Sequence, residues 1–325
     1  MCFRQSDPQE LTEIYKFGDL QAVPLDYADY TNGHQDIHAI KEDRYNPGTL
    51  FLMIGAAIMK YTPGQALTHF LGDINQTEYF VYEEGNSSVA KFSIIFDLVQ
   101  YNRTKIALAD YVNNCVREYD YETDIVQPLF GECGKLNNYH GSWKDGDNIP
   151  GNSNFLALVL SIQYVESENY FIVCDQGFGQ LSVFDVATSR AMPLLDGIQS
   201  SKVPTPLSLL LSKDEKQVFV SHVYGISLID LTTRQVTSIV GQASLSGDFS
   251  TNLPLVVGPF KTATVGLLHH LSWLVNDQVL IANSGDNQAL VVINLVEQTV
   301  LASCKGESLT FVLLNLGRTR RFSSS

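Results

Sequence analysis

The chain has 325 residues, 45% of them hydrophobic and 17% charged, and its 35 acidic against 21 basic side chains leave a net charge of −14. That length holds one large all-β domain or two medium ones, and the acidic balance argues against a nucleic-acid partner, whose phosphates need concentrated Lys and Arg. The longest apolar run, "TLFLMIGAAIM" (49–59), is about half of what a bilayer requires, so no membrane span is expected.

The opening "MCFRQSDPQELTE" (1–13) is too polar for a secretory signal peptide, which leaves a cytosolic protein or a segment that has lost its leader. Next, "LTEIYKF" (11–17) and "LQAVPL" (20–25) read as strands, ahead of five units written alike. Each unit opens with a strand-like segment: "DIHAIK" (36–41), "FSIIFDLVQ" (92–100), "FLALVLSIQY" (155–164), "PLSLLLS" (206–212) and "LHHLSWLV" (268–275). Three more short apolar runs follow, parted by a polar or Gly loop and a polar turn, as in "KIALADYVNNCVREYDYETDIVQPLFGECG" (105–134). The other four spans are 49–72, 169–197, 216–241 and 277–306. All five close on glycine, at positions 72, 131, 197, 241 and 306, at intervals of 59, 66, 44 and 65 residues. Recurrence on this scale marks a repeat architecture.

Four short antiparallel strands per unit make one blade of a β-propeller. The runs are apolar on both faces, as blades sandwiched between neighbours require, and helical periodicity is weak throughout. Left over is "SLTFVLLNL" (308–316), which reads as a lone innermost strand. With the two N-terminal strands it makes a sixth blade drawn from both ends of the chain, hiding two sheet edges. The expectation is an all-β propeller of six four-stranded antiparallel blades, five being the alternative. Residues 1–317 form one domain, and 318–325, with Arg318, Arg320 and Arg321, form a disordered tail.

Within 105–134, Asp110, Asn113, Asn114 and Arg117 stand in the order D-x-x-N-x-x-x-R. Asp and Asn cap tight loops by accepting from nearby backbone N–H groups, and Arg117 is suited to pairing with a carboxylate, so the motif reads as structural. Together with "VQPLFG" (126–131), the upstream "LTHFLGD" (67–73) and "EEGNSSVAKF" (83–92), and the downstream "GECGKLNNYHGSWKDGDNIPGNSNF" (131–155), it resembles the NHL repeat of animal extracellular-type proteins. The resemblance is good over 66–155 and fair over 169–241. Asp175 keeps the loop acid, but Phe178 and Leu181 depart from the pattern, and His222 and Asn283 replace the acid in later blades. The resemblance implies a non-catalytic scaffold that holds a protein, peptide or glycan partner on its loop faces. The long linkers 132–154 and 242–266 are the segments expected to face it.

Cys115 begins the second run of its blade and Cys133 lies just past the third, positions that adjacent antiparallel strands can bring within disulfide reach. The resemblance implies that they pair, since related extracellular-type repeats carry the same two cysteines; two unpaired thiols are the alternative. Pairing implies an oxidising compartment, hence an extracellular protein or an ectodomain. Cys174 reads as a buried small apolar residue, and nothing local supports joining Cys2 to Cys304. Asn75, Asn86 and Asn102 head glycosylation sequons, but three is about the number chance gives a chain of this composition.

The rival reading is a propeller enzyme with a metal in its central channel, similar to the amidating lyases or to lactone and ester hydrolases. Zinc needs about three convergent ligands, and the histidines are scattered. His38, His222 and His269 make the only plausible set; His269 and His270 are neighbours on a strand and are expected to point to opposite faces. For calcium, "DGDN" (145–148) and "EYDYETD" (118–124) lack EF-hand spacing. No nucleophile elbow, phosphate loop or kinase set is present. No catalytic residue, metal or cofactor is expected.

Overall fold

Each repeat unit folds as expected into an antiparallel meander, because its runs alternate side chains between two faces and both faces are apolar. The computed structural model describes residues 37–304 apart from 77, 79, 136–143, 154–155, 242–254, 276–277 and 285–288. The first blade is β1 (Ile37–Glu42), β2 (Leu50–Ile54), β3 (Ala57–Tyr61) and β4 (Thr68–Gly72). The second is β5 (Ile95–Gln100), β6 (Lys105–Asp110), β7 (Cys115–Asp120) and β8 (Ile125–Phe130). In the third, β10 (Val159–Val165), β11 (Tyr170–Asp175), β12 (Gln180–Asp185) and β13 (Arg190–Pro193) gain an outermost fifth strand, β9 (Ile149–Pro150). The fourth is β14 (Pro206–Leu211), β15 (Gln217–His222), β16 (Gly225–Asp230) and β17 (Val236–Gly241). In the fifth, β19 (Leu268–Val275), β20 (Val279–Ser284), β21 (Ala289–Asn294) and β22 (Thr299–Cys304) gain β18 (Gly258–Pro259) outside β22.

The first strand of each blade is the inner one: β1, β5, β10, β14 and β19 approach one another in that order. Blade packs on blade through alternation within single strands. In β6, Ile106 and Leu108 face the first blade while Ala107 and Ala109 face the third. In β11, Phe171 and Val173 face the second blade while Ile172 and Cys174 face the fourth. Cys174 is the buried free thiol the sequence led us to expect, and burial raises its pKa.

The described residues form five blades rather than six. The strands expected at 11–17, 20–25 and 308–316, like the tail 318–325, lie outside the described residues, and so do Cys2 and the side chain of Cys304. Closing glycines at 72 and 241 are required by the backbone: φ is +82° and +91°, and a Cβ would fall 2.1 Å from the Ala56 carbonyl oxygen and 2.0 Å from that of Tyr224. Gly197 is different. The third blade ends at Pro193, and Gly197 opens a single helical turn, α1 (Gly197–Ser200), capped by the Asp196 carboxylate, which accepts from Gln199 N at 2.7 Å.

Candidate functional site

The motif residues lie on the rim carrying the β6–β7 turn, and they close on each other. The Asp110 carboxylate accepts from Ser93 N (3.0 Å) and Ser93 Oγ (2.8 Å) on one oxygen, and from Asn113 Nδ2 (3.0 Å) on the other. Arg117 reaches that second oxygen at 3.4 Å, with neither side chain exposed to solvent. Its guanidinium also donates to the Lys91 carbonyl (2.5 Å) and the Glu83 carbonyl (2.6 Å), and lies between the rings of Tyr82 and Phe92, 4.8 and 4.4 Å from their centroids. Asn113 adds a bond to the Val81 carbonyl at 2.9 Å. The cluster therefore clamps the linker 81–93 onto the second blade. Burial raises the Asp110 pKa, while Arg117, Asn113 and Ser93 pull it back down.

Two further links fasten this rim. Cys115 and Cys133 form a disulfide with Cα atoms 5.1 Å apart. Asn114, at φ +57°, accepts from Leu158 N at 2.9 Å, tying the second blade to the start of the third.

Strand register shows what the other blades do with the same positions. Asp110 pairs with Cys115 in its ladder as Asp175 pairs with Gln180, His222 with Gly225 and Ser284 with Ala289. The place of Arg117, opposite Leu108, is taken by Ser182 opposite Val173, Ser227 opposite Val220 and Val291 opposite Ala282. The acid of the fifth blade is thus replaced by Ser284, not by Asn283 as the sequence suggested. The first blade has Ile54 and Met59 at the places of Asp110 and Arg117, and after the second blade the charged pair is lost stepwise. Asp175 accepts from Phe178 N (3.0 Å) and Ala157 N (3.2 Å), with burial pushing its pKa up to about 8. His222 Nε2 meets Ser227 Oγ at 3.0 Å, its Nδ1 accepts from Tyr224 N at 3.3 Å, and burial pushes its pKa down to about 4.

The three candidate metal ligands are spread over three blades. His38 sits at a bulge in β1 and stacks on Phe96, the bulged residue of β5, at 4.6 Å. His222 is engaged with Ser227. His269 lies on β19, where a bulge breaks the strict alternation, so its ring is 6.2 Å from that of His270 rather than across the sheet. Among the described residues, no three His, Cys, Asp or Glu side chains gather as a metal site.

The acidic turns are occupied by protein donors. Asp145 accepts from Gly197 N (2.9 Å), Asp147 from Lys144 N (2.7 Å), Asp120 from Glu122 N (2.9 Å) and Asp124 from Tyr119 OH (3.1 Å). Asn75, Asn86 and Asn102 are all exposed. The described parts of the two long linkers, through β9 and β18, cover the outer edges of the third and fifth blades. Residues 136–143 and 242–254 of those linkers lie outside the described residues.

On the opposite rim the structure reveals a cleft of about 380 Å³ between the fourth and fifth blades, lined by Ser212, Lys213, Asp214, Gln217, Phe219 and Trp273. Its indole is held edge-on to Phe219 at 5.2 Å, with Nε1 donating to the Leu211 carbonyl at 3.0 Å.

These features define a β-propeller. No family model and no curated protein matches the chain. Solved structures do: a chain of a nidogen/laminin complex superposes with a TM-score of 0.55 at 7% identity, over 84% of this chain and 81% of that one. An auxiliary nutrient binding protein from Bacteroides ovatus gives 0.55 at 11% identity, over 83% of this chain and 57% of that one. The chain thus spans little more than half the length of the latter. At such identities the likeness is one of fold. No helix among the described residues is long and apolar enough to cross a membrane.

Proposed function

We propose that the chain is a non-catalytic NHL-type β-propeller scaffold, extracellular or part of an ectodomain, that binds a protein, peptide or glycan partner through its loop faces. The observation that carries this reading is the cluster around Asp110 and Arg117, which holds the linker 81–93 onto the second blade through the Glu83, Lys91 and Val81 carbonyls, a structural role for the NHL-type motif. The Cys115–Cys133 disulfide supports an oxidising setting, in which the exposed sequon asparagines are open to glycosylation. Two structures that superpose on the chain, a chain of a nidogen/laminin complex and a nutrient binding protein, are named for binding rather than for a reaction.

Of the surfaces described, we take the open cleft at Trp273 and Phe219 as the contact point to test. An aromatic wall beside Lys213, Asp214 and Gln217 combines apolar area with a few polar groups, as ligand sites do. Purified chain probed on arrays of glycans and of extracellular proteins should give saturable binding that Trp273→Ala abolishes without altering the far-ultraviolet circular dichroism. Binding untouched by that variant would move the contact to another surface. A stoichiometric metal-dependent hydrolase or lyase activity would replace the scaffold reading with the channel-metal enzyme.

A further inference from the structure

The cleft between the fourth and fifth blades is built on a fixed turn. Ser212 N donates to the Gln217 carbonyl at 2.8 Å and Gln217 N to Ser212 Oγ at 3.0 Å, while Glu215 N, at φ +58°, donates to the Ser212 carbonyl at 3.0 Å. The turn is also tied on both sides. Ser167 N of the third blade donates to Glu215 Oε2 at 2.8 Å, and Trp273 Nε1 of the fifth donates to the Leu211 carbonyl at 3.0 Å. A site held in this way loses little entropy when a ligand arrives.

The ladder place of Trp273 is taken by Glu42, Gln100, Tyr164 and Leu211 in the other blades. The polar three turn back on the protein: Glu42 accepts from Gly48 N (2.7 Å), Gln100 Nε2 donates to Asp43 (3.1 Å) and Tyr164 OH donates to Asn169 (2.9 Å). Trp273 fastens its one N–H to Leu211 and leaves the indole lining an open cleft.

The polar lining keeps hydrogen-bonding capacity. Asp214 accepts from Ser212 Oγ (2.7 Å) and Lys216 N (3.1 Å) on the same oxygen, bonds that hold its pKa below the ordinary value, so the ionised carboxylate keeps its other oxygen as an acceptor. Lys213 is exposed and Gln217 half-buried. Among the described residues, neither that ammonium nor that side-chain amide meets a protein partner. The cleft therefore offers an aromatic surface, a cation, an acceptor, and an amide that both donates and accepts. Its described lining includes no Leu, Ile, Val or Met, so it lacks the apolar pocket in which a protein partner seats an anchoring side chain. A pyranose ring matches what is there. It has one face of C–H groups for the indole and, around its edge, hydroxyls that donate to Asp214 and pair with Gln217 and Lys213. With a net charge of −14 on the chain, an uncharged sugar avoids the repulsion that a polyanionic glycan meets. The volume, about 380 Å³, lies at the small end of ligand sites and suits a short stretch of a glycan.

We infer that this cleft binds an uncharged pyranose unit of a glycan, stacked on Trp273 and held by hydroxyl bonds to Gln217, Asp214 and Lys213. The inference rests on the reading of the chain as a binding scaffold and names the partner class of this surface.

Tryptophan occurs twice, at 143 and 273, so the full chain carrying Trp143→Phe reports on Trp273 alone by fluorescence. Titrated with cellotetraose, mannotetraose and chitotetraose, it should show a saturable change with at least one of them, and a weaker response to a galacturonate tetramer. By calorimetry, Trp273→Ala should weaken the binding about tenfold or more and Gln217→Ala about fivefold, with far-ultraviolet circular dichroism unchanged. Should Trp273→Ala disturb the fold, Gln217→Ala, which removes only an unpartnered amide, decides. Failure of all three neutral sugars to bind overturns the inference, as does binding that neither substitution weakens. Tighter binding of the galacturonate tetramer overturns the uncharged class. A protein held through Trp273 in place of any sugar would overturn the glycan and leave the scaffold reading standing. Absence of saturable binding to any glycan or extracellular protein would remove both.

Discussion

Arg117 and Asp110 form an ion pair with both side chains fully out of water, 3.4 Å apart. Such a pair recovers its desolvation cost only through further hydrogen bonds and good geometry. Here the carboxylate accepts from Ser93 and Asn113, and the guanidinium donates to two backbone carbonyls of the linker and lies between two rings. The pair's job is to fix where a linker runs.

Breaking it on one side should be costly. Arg117→Met leaves Asp110 buried without its cation and removes the guanidinium bonds to the Glu83 and Lys91 carbonyls, so urea unfolding should show a loss of about 3–5 kcal/mol. Asp110→Asn together with Arg117→Met should recover part of that loss, because the uncompensated charge is gone. If the single variant unfolds at the wild-type midpoint, the clamp contributes nothing to stability.

Peptide mapping without reductant should find Cys115 joined to Cys133 and Cys174 as a free thiol. Cys174 is fully buried with its pKa raised, so it should resist alkylation until the chain unfolds. Replacing Cys115 and Cys133 by Ala should cost about 3 kcal/mol for a loop of this size. Fast labelling of Cys174 in the native state would contradict its place between the third and fourth blades.

His222 sets a pH dependence whose sign follows from linkage. Its folded pKa is pushed down to about 4 from an ordinary 6.5. Between those values the unfolded chain takes up a proton that the folded one refuses. The contribution is therefore complete above pH 6.5 and is lost as pH falls toward 4, by up to about 3 kcal/mol. His222→Gln should flatten that part of the stability profile relative to wild type. An unchanged slope below pH 6.5 would show that the imidazole charges in the folded state.

The blades were legible because short runs apolar on both faces have few other folds open to them, and because Gly72 and Gly241 sit where no side chain fits. The Asp110–Arg117 motif was legible as structural, but not what it holds: its partners Glu83 and Lys91 are linker residues brought in by tertiary packing. Register was less readable. The β20–β21 turn is as long as the β6–β7 turn, yet the ladder puts Ser284, not its neighbour Asn283, at the place of Asp110, and strand alternation alone does not say where a strand ends. Bulges put His38 on Phe96 and His269 beside His270, and no sequence signal marks a bulge in a run such as "DIHAIK". Likewise the Trp273–Phe219 cleft is made by residues distant in the chain that the packing of two consecutive blades brings together.

Elemental analysis of the full chain from a secretory host, dialysed without chelator, tests the scaffold reading most directly. The account predicts no stoichiometric zinc or calcium, and the same result for His38→Ala and His269→Ala. One tightly held zinc or calcium per chain, lost on either substitution, would contradict it and place a metal in the channel.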